Sequence, residues 1–164
     1  MRRVLIAAAL LVLLLAAPRA DAFTLTLDGK PVAKIVVCRN ATNGSVIWSK
    51  DLHTPYGGSW IYSENGASPR LDNALVFVNL NTGVNSLAAF RVADGSLAWR
   101  SENEWATHST PAVATIEGVR QVIFATKTGL VSLNTTNGAF LWKFTYPFPA
   151  ITDSIAMGAG PVVY

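Results

Sequence analysis

A single cysteine, Cys38, stands in this sequence. One thiol makes no internal disulfide, so cross-links do not hold the fold together. Charge is sparse, at 14% of residues. Beyond the first few residues Lys and Arg nowhere cluster, which removes the usual grounds for a nucleic-acid or membrane-surface partner. His53 and His108 lack the spacing of a metal pair, and two histidines without thiols are too few for most zinc sites. Ser-His-Asp sets can be drawn on paper from the many serines, but no spacing selects one. The longest apolar run, residues 4–17, is shorter than the roughly 20 residues a membrane-spanning helix requires.

That run has another use. Met1-Arg2-Arg3 supplies a positive start, Pro18 ends the apolar stretch, and Ala20-Asp21-Ala22 places small residues where a signal peptidase reads. These three features predict a secretory signal peptide over residues 1–22, cleaved after Ala22. The mature chain, residues 23–164, is then exported to the periplasm or the extracellular space and carries no membrane span. Losing Arg2, Arg3, Arg19 and Asp21 lowers the net charge of +3 by two, so the basic pI of about 9.2 belongs largely to the leader. Roughly 140 residues remain, which on length alone suits one domain.

Within them a pattern recurs. Asn43-Gly44, Asp94-Gly95 and Asn137-Gly138 are each followed by apolar residues and then by Trp48, Trp99 or Trp142, always four residues after the glycine. The tryptophans are about 50 and about 40 residues apart, periods that mark a solenoid, propeller or array. Asn-Gly and Asp-Gly predict tight two-residue hairpin turns, in which both residues take positive φ. The flanking runs read as strands: 34–39, 86–92 and 130–134 before the turns, 46–49, 97–100 and 140–144 after them. Six residues before each turn glycine stand Cys38, Ala89 and Ser132, all small, as a crowded interior demands. Cys38 is accordingly expected to be a buried strand residue rather than a reactive thiol.

A second anchor precedes each pair of strands. Ser68-Pro69, Thr110-Pro111 and Gly160-Pro161 follow the tryptophans, and proline fits a strand's first residue, where no ladder donor is needed. A turn and a further strand come next, at 75–78 and 122–126. Four short antiparallel strands per period are the signature of a propeller blade. The expected units are a partial blade at 23–50, blades at about 66–100 and 109–144, and the start of another at 160–164.

At this point the repeat resembles a known one. The segment Leu130-Val131-Ser132-Leu133-Asn134-Thr135-Thr136-Asn137-Gly138-Ala139-Phe140-Leu141-Trp142 is similar to the repeat of PQQ-like (pyrroloquinoline-quinone repeat) β-propeller proteins, and Gln121-Val122-Ile123-Phe124 resembles a strand of their exported bacterial type. Arg91 departs from the pattern where Asn40 and Asn134 stand and the family usually has Asp. The resemblance covers nearly all of the mature chain. It implies an all-β fold, a partial β-propeller of about three four-stranded antiparallel blades that is not closed. Closed propellers typically have 4–8 blades. The chain is therefore expected to be a fragment of a longer propeller, with self-association through open blade edges as the alternative.

The fold hosts dehydrogenases and membrane-assembly scaffolds alike, so function has to come from a site. For a quinoprotein the resemblance implies PQQ stacked on a tryptophan, calcium held by Glu, Asn and Asp, and a disulfide of adjacent cysteines. Cys38 stands alone, and Trp48, Trp99 and Trp142 belong to the repeat, where they read as packing between blades. No catalytic or metal-binding residue is assigned, and PQQ and calcium enter only under the alternative of an alcohol dehydrogenase-like oxidoreductase fragment. The leading expectation is a non-catalytic scaffold or binding module. Its candidate face is the rim formed by the connectors 51–66, 101–108 and 145–153. They carry Tyr56, Trp60, Tyr62, Trp105, Tyr146 and Phe148 beside Glu64, Glu102 and Glu104. Such a face suits a protein, peptide or carbohydrate ligand. The competing expectation is that these rings plug the loops against the blades.

Overall fold

A computed structural model describes residues 12–13, 21–24, 35–52, 54–57, 67–147 and 160–163. The expected leader, 1–22, lies outside the described residues except for short stretches of backbone. Among the described residues twelve strands form three sheets. The first holds β1 (Val12–Leu13), β2 (Asp21–Thr24), β3 (Ile35–Asn40) and β4 (Val46–Asp51); a 3-10 turn, Thr54–Tyr56, follows it. The second holds β5 (Arg70–Asp72), β6 (Leu75–Asn79), β7 (Leu87–Arg91) and β8 (Leu97–Ser101). β9 (Ala112–Ile116), β10 (Val119–Ala125), β11 (Gly129–Asn134) and β12 (Phe140–Thr145) make the third. Each sheet is an antiparallel meander in chain order. The architecture is the expected partial β-propeller.

Strand alternation explains why the sheets stack face to face. Successive side chains of a strand point to opposite faces. In the middle sheet Val76, Val78, Ala88 and Phe90 pack with Val36, Cys38 and Leu52 of the first. Their neighbours Phe77, Leu87, Ala89 and Trp99 pack instead with Val122, Phe124, Val131 and Leu133 of the third. A sheet covered on both faces loses the apolar–polar alternation of a half-buried strand, and β7 is buried from Leu87 to Phe90.

One contact repeats across these faces. Cys38, Ala89 and Ser132 are the direct cross-strand partners of Trp48, Trp99 and Trp142, and all three small residues are fully buried. A bulge follows each pair, between Cys38 and Arg39, Ala89 and Phe90, and Ser132 and Leu133. The first two indoles cross to the next sheet. Trp48 Nε1 donates to the Val92 carbonyl at 2.7 Å, and Trp99 Nε1 to that of Thr135 at 2.9 Å. Their rings lie on the next turn glycine so closely that a Cβ at Gly95 would come within 2.8 Å of Trp48, and one at Gly138 within 2.6 Å of Trp99. Trp142 Nε1 turns to its own sheet and donates to Gln121 Oε1 at 2.9 Å.

The turns differ from expectation. Asn40 pairs with Ser45 around a four-residue loop, Gly44 N donating to Asn40 O at 2.7 Å. Only the glycine takes positive φ, +71° at Gly44, +69° at Gly95 and +71° at Gly138. Asn43 stays out of the left-handed region because its side chain has other work: Oδ1 accepts from the Ser45 amide at 3.0 Å. Asp94 and Asn137 do the same for Ser96 and Ala139, at 2.8 and 3.0 Å. The two-residue turn with both residues at positive φ occurs instead at Glu117 and Gly118, +48° and +77°. Arg91, the departure from the repeat, spans its turn by donating to the Leu97 carbonyl at 2.9 Å.

The Pro-led segments lie against one another. The Ser68 amide donates to Thr110 Oγ1 at 3.3 Å, and a Cβ at Gly160 would lie 2.9 Å from the Thr110 carbonyl. Residues 160–163 belong to no ladder.

Two outcomes follow from this packing. Trp99→Ala deletes a buried ring and strands the Thr135 carbonyl, and should lower stability by about 3–5 kcal/mol in urea unfolding. Asp94 is held below its ordinary value of 3.8 by the hydroxyl and amide of Ser96. Its contribution is therefore full above the unfolded-state value and is lost as pH falls through the lower folded one. Asp94→Asn keeps the turn, as Asn43 and Asn137 do. The variant should lose less stability than the wild type between about pH 4 and about pH 2, read from urea midpoints at both values.

Candidate functional rim

The loop at residues 80–86, between β6 and β7, organises the rim. Asn81 is fully buried, and its Oδ1 accepts from the Ala106 amide at 2.9 Å. The Asn85 amide donates to Asn103 Oδ1 at 2.9 Å, and Ser86 N to the Glu102 carbonyl at 2.8 Å. Arg100 clasps the loop's other side, Nε to Asn85 O at 2.7 Å and Nη2 to Val84 O at 3.0 Å. The loop is thus tied at both flanks to β8 and to the connector after it.

Aromatic side chains sit along this frame. Tyr56 is half-buried, its ring edge-on to Phe90 at 5.8 Å, with the Arg100 guanidinium 5.2 Å from its centroid. It packs between sheets, and Arg100 joins it to the loop. Trp105 lies on Gly83, where a Cβ would approach its ring to 2.7 Å, yet it remains 44% exposed. Beside Gly83, Val84 is 60% exposed. Tyr146 is half-buried; its amide donates to the Thr128 carbonyl at 3.2 Å, and burial raises the pKa of its phenol. Trp60, Tyr62 and Phe148 lie outside the described residues, as do His53 and Glu64.

The acidic half of the expected rim needs correcting. Glu104 is buried, not displayed. Lys143 pairs with Oε1, Thr128 Oγ1 donates to Oε2 at 2.9 Å, and the Glu104 amide donates to Ser86 Oγ at 2.9 Å. A buried carboxylate persists only when paired and hydrogen-bonded, and the charge pattern of the chain gave no sign that Lys143, in β12, would reach it. Glu102 is half-buried at φ +52°. What the rim exposes is apolar and amide surface, Trp105 and Val84 beside Asn85 and Asn103.

The described residues do not fit a quinone and calcium. Trp48 and Trp99 are held between sheets by the contacts above, and Cys38 is buried beneath Trp48. Among the described residues no three His, Cys, Asp or Glu converge as a metal site. A cavity of about 50 Å³ lies between the first three strand layers, lined by Val36, Leu52, Pro69, Asn79, Pro111 and Phe124 among others. Small-molecule sites are typically about 300–1,000 Å³, so this cavity accommodates water rather than a cofactor. No helix among the described residues is long and apolar enough to cross a membrane.

Comparison with known proteins adds three findings. The PQQ-like repeat model described as outer membrane protein assembly factor BamB matches residues 25–163. Among solved structures the chain is similar to BamB from Moraxella catarrhalis, with 16% identity and a TM-score of 0.52 over 77% of this chain and 33% of that one. It is also similar to quinohemoprotein alcohol dehydrogenase from Comamonas testosteroni, with 17% identity and a TM-score of 0.52 over 76% of this chain and 19% of that one. At such identities the likeness is one of fold. The chain spans about a third of the first of these structures and about a fifth of the second. No curated protein sequence matches it.

The Glu104 cluster yields a stability test. Lys143→Met leaves the buried carboxylate without its cation, and because the lysine is 29% exposed the cost should be about 2 kcal/mol, below that of a fully buried pair. Lys143→Arg should recover most of it in urea unfolding.

Proposed function

We propose that this chain, which belongs to the PQQ-like repeat β-propeller family, acts outside the cytoplasm as a non-catalytic scaffold or binding module whose docking face is the rim around Trp105. One observation carries the reading. Trp105 and Val84 are exposed while the loop beneath them is fixed on both flanks by Asn81, Asn103 and Arg100. An exposed aromatic on a rigid loop provides contact area without the entropy cost of ordering a mobile segment. The bordering amides suit the backbone of an extended peptide better than they suit an ion.

The family description supports a protein partner, since it names an outer membrane protein assembly factor. Segments of exported outer membrane proteins are the ligand class this favours. The two solved neighbours are much longer, which supports reading these three sheets as an arc of a larger propeller. Export rests on the leader at 1–22. Cleavage after Ala22 would remove β1 and shorten β2 to Phe23 and Thr24, leaving β3 and β4 as the intact part of the first sheet.

The second reading, a fragment of an exported PQQ-dependent oxidoreductase, is favoured by the likeness to an alcohol dehydrogenase. Saturable uptake of PQQ with calcium, accompanied by dye-linked alcohol oxidation, would decide for it.

Peptides spanning outer membrane protein strands, immobilised and titrated with the purified chain, test the first reading. Trp105→Ala should weaken binding about tenfold or more and move stability by no more than about 1 kcal/mol. Global unfolding of the variant would mean that the ring serves packing. Unchanged affinity would place the docking face elsewhere, and a polysaccharide binding in place of peptides would change the ligand class.

A further inference from the structure

Exposure alternates along the connector after β8, as it does along a half-covered strand. Asn103 and Trp105 are exposed, while Glu104 and Ala106 are buried. What the rim displays is therefore set by what holds the inward pair. Ala106 is fixed by the second and third sheets together, its amide on Asn81 Oδ1 at 2.9 Å and its backbone bridged to Thr126.

Glu104 is held from both sheets as well. Ser86, just before β7, engages both of its backbone groups: the Glu104 amide donates to Ser86 Oγ at 2.9 Å, and the same hydroxyl donates to the Glu104 carbonyl. The third sheet holds the carboxylate, with Thr128 Oγ1 donating to Oε2 at 2.9 Å and Lys143 Nζ to Oε1. Lys143 stands opposite Val131 in its ladder, and Val131 packs against the second sheet. Cross-strand partners share a face, so the ammonium rises on the side of the third sheet that the second one covers. Next to Glu104, the Trp105 carbonyl accepts from the Lys127 amide at 3.3 Å, while the indole lies on Gly83 of the second sheet's loop. Trp105 thus straddles the seam between two sheets.

The ion pair constrains this segment in a way that apolar contacts do not. An apolar side chain can slide by a fraction of an ångström and keep most of its burial. A buried carboxylate that leaves its cation must regain water, and fixing register is the best-attested use of such buried polar pairs. Glu104 is only 6% exposed, so without Lys143 it reaches water by turning outward. Neighbouring side chains of an extended segment point to opposite faces. Turning residue 104 outward therefore draws Trp105 off Gly83.

We propose that Lys143, acting through Glu104, is the positioning residue for Trp105, so that one cation in the outermost strand of the third sheet sets how the exposed ring is presented. Its consequence for binding rests on the docking reading above, whereas the seating of the ring on Gly83 does not. The affinity of the rim is then a property of the seam between two sheets, and it is adjustable from a residue that need not touch the ligand.

Two readouts test it. In the free chain, the NMR signal of the Trp105 indole N–H, identified by its loss in Trp105→Ala, should move toward its denatured position in Lys143→Met while that of Trp48 stays in place. Lys143→Arg should restore it. Thr128→Val removes one bond from Glu104 and leaves the charge pair, so it should move the signal the same way but less, and it carries the test if Lys143→Met does not fold. In binding to immobilised peptides spanning outer membrane protein strands, Lys143→Met should lose about fivefold in affinity and Trp105→Ala about tenfold or more. The double variant should lose no more than Trp105→Ala alone, because a residue that acts through the ring has nothing left to move. An unmoved Trp105 signal in the folded Lys143→Met variant, or a loss that adds in full to that of Trp105→Ala, would overturn the proposal. Peptide binding indifferent to Trp105→Ala would overturn the docking reading instead, and the indole signal would still decide whether Lys143 seats the ring.

Discussion

Among the described residues an indole crosses from one sheet to the next where three local conditions coincide. The cross-strand partner must be small enough to leave room, as Cys38 and Ala89 are. The residue under the ring must lack a Cβ, as Gly95 and Gly138 do. A carbonyl must face the N–H, as those of Val92 and Thr135 do. A buried indole N–H left without an acceptor costs about 1–3 kcal/mol, so the hydrogen bond specifies where the ring sits as much as it adds energy. With no cross-link among the described residues and each strand ladder confined to its own sheet, this contact, the apolar faces around it and a few side-chain bonds hold the sheets in order.

Once the sheets are stacked, the 80–86 loop meets the connector after β8, and its rigidity comes from side-chain to backbone bonds rather than from strand pairing. Asn81, Asn103 and Arg100 hold the 80–86 loop, while Glu104, Thr128 and Lys143 tie the following connector to the third sheet. A bidentate ion pair, Arg120 with Asp72, links β10 of the third sheet to β5 of the second. The rim is therefore built as a support, and the apolar surface it presents is small and fixed. Trp105 and Val84 stay exposed on this frame.

Much of this was legible in the sequence because the repeat states it three times. The tryptophan register, the small residues opposite and the order of strands all follow from aligning Asn43-Gly44, Asp94-Gly95 and Asn137-Gly138. The turn geometry was misread because an Asn-Gly pair signals two different loops. The side chains of Asn43, Asp94 and Asn137 cap the following strand, which keeps their own backbone right-handed, and no local rule ranks that above a two-residue turn. Lys143 and Glu104 were illegible for another reason: their pairing depends on how far the third sheet is rotated against the second, which only the stacked structure fixes. Of the rim aromatics, Tyr56, Trp105 and Tyr146 fall within the described residues. They divide between packing and exposure according to what the 80–86 loop leaves uncovered.

The account depends on Trp48 and Trp99 being locked between sheets by their indole hydrogen bonds. Hydrogen exchange at the indole nitrogens of the folded chain, followed by NMR with each tryptophan assigned by substitution, measures that directly. Both protons should exchange only through global unfolding, with protection that falls in step with overall stability as urea is added. Rapid exchange of either one in a chain whose strand amides remain protected would contradict it, because the sheets would then be stacked without the contact on which their order is said to rest.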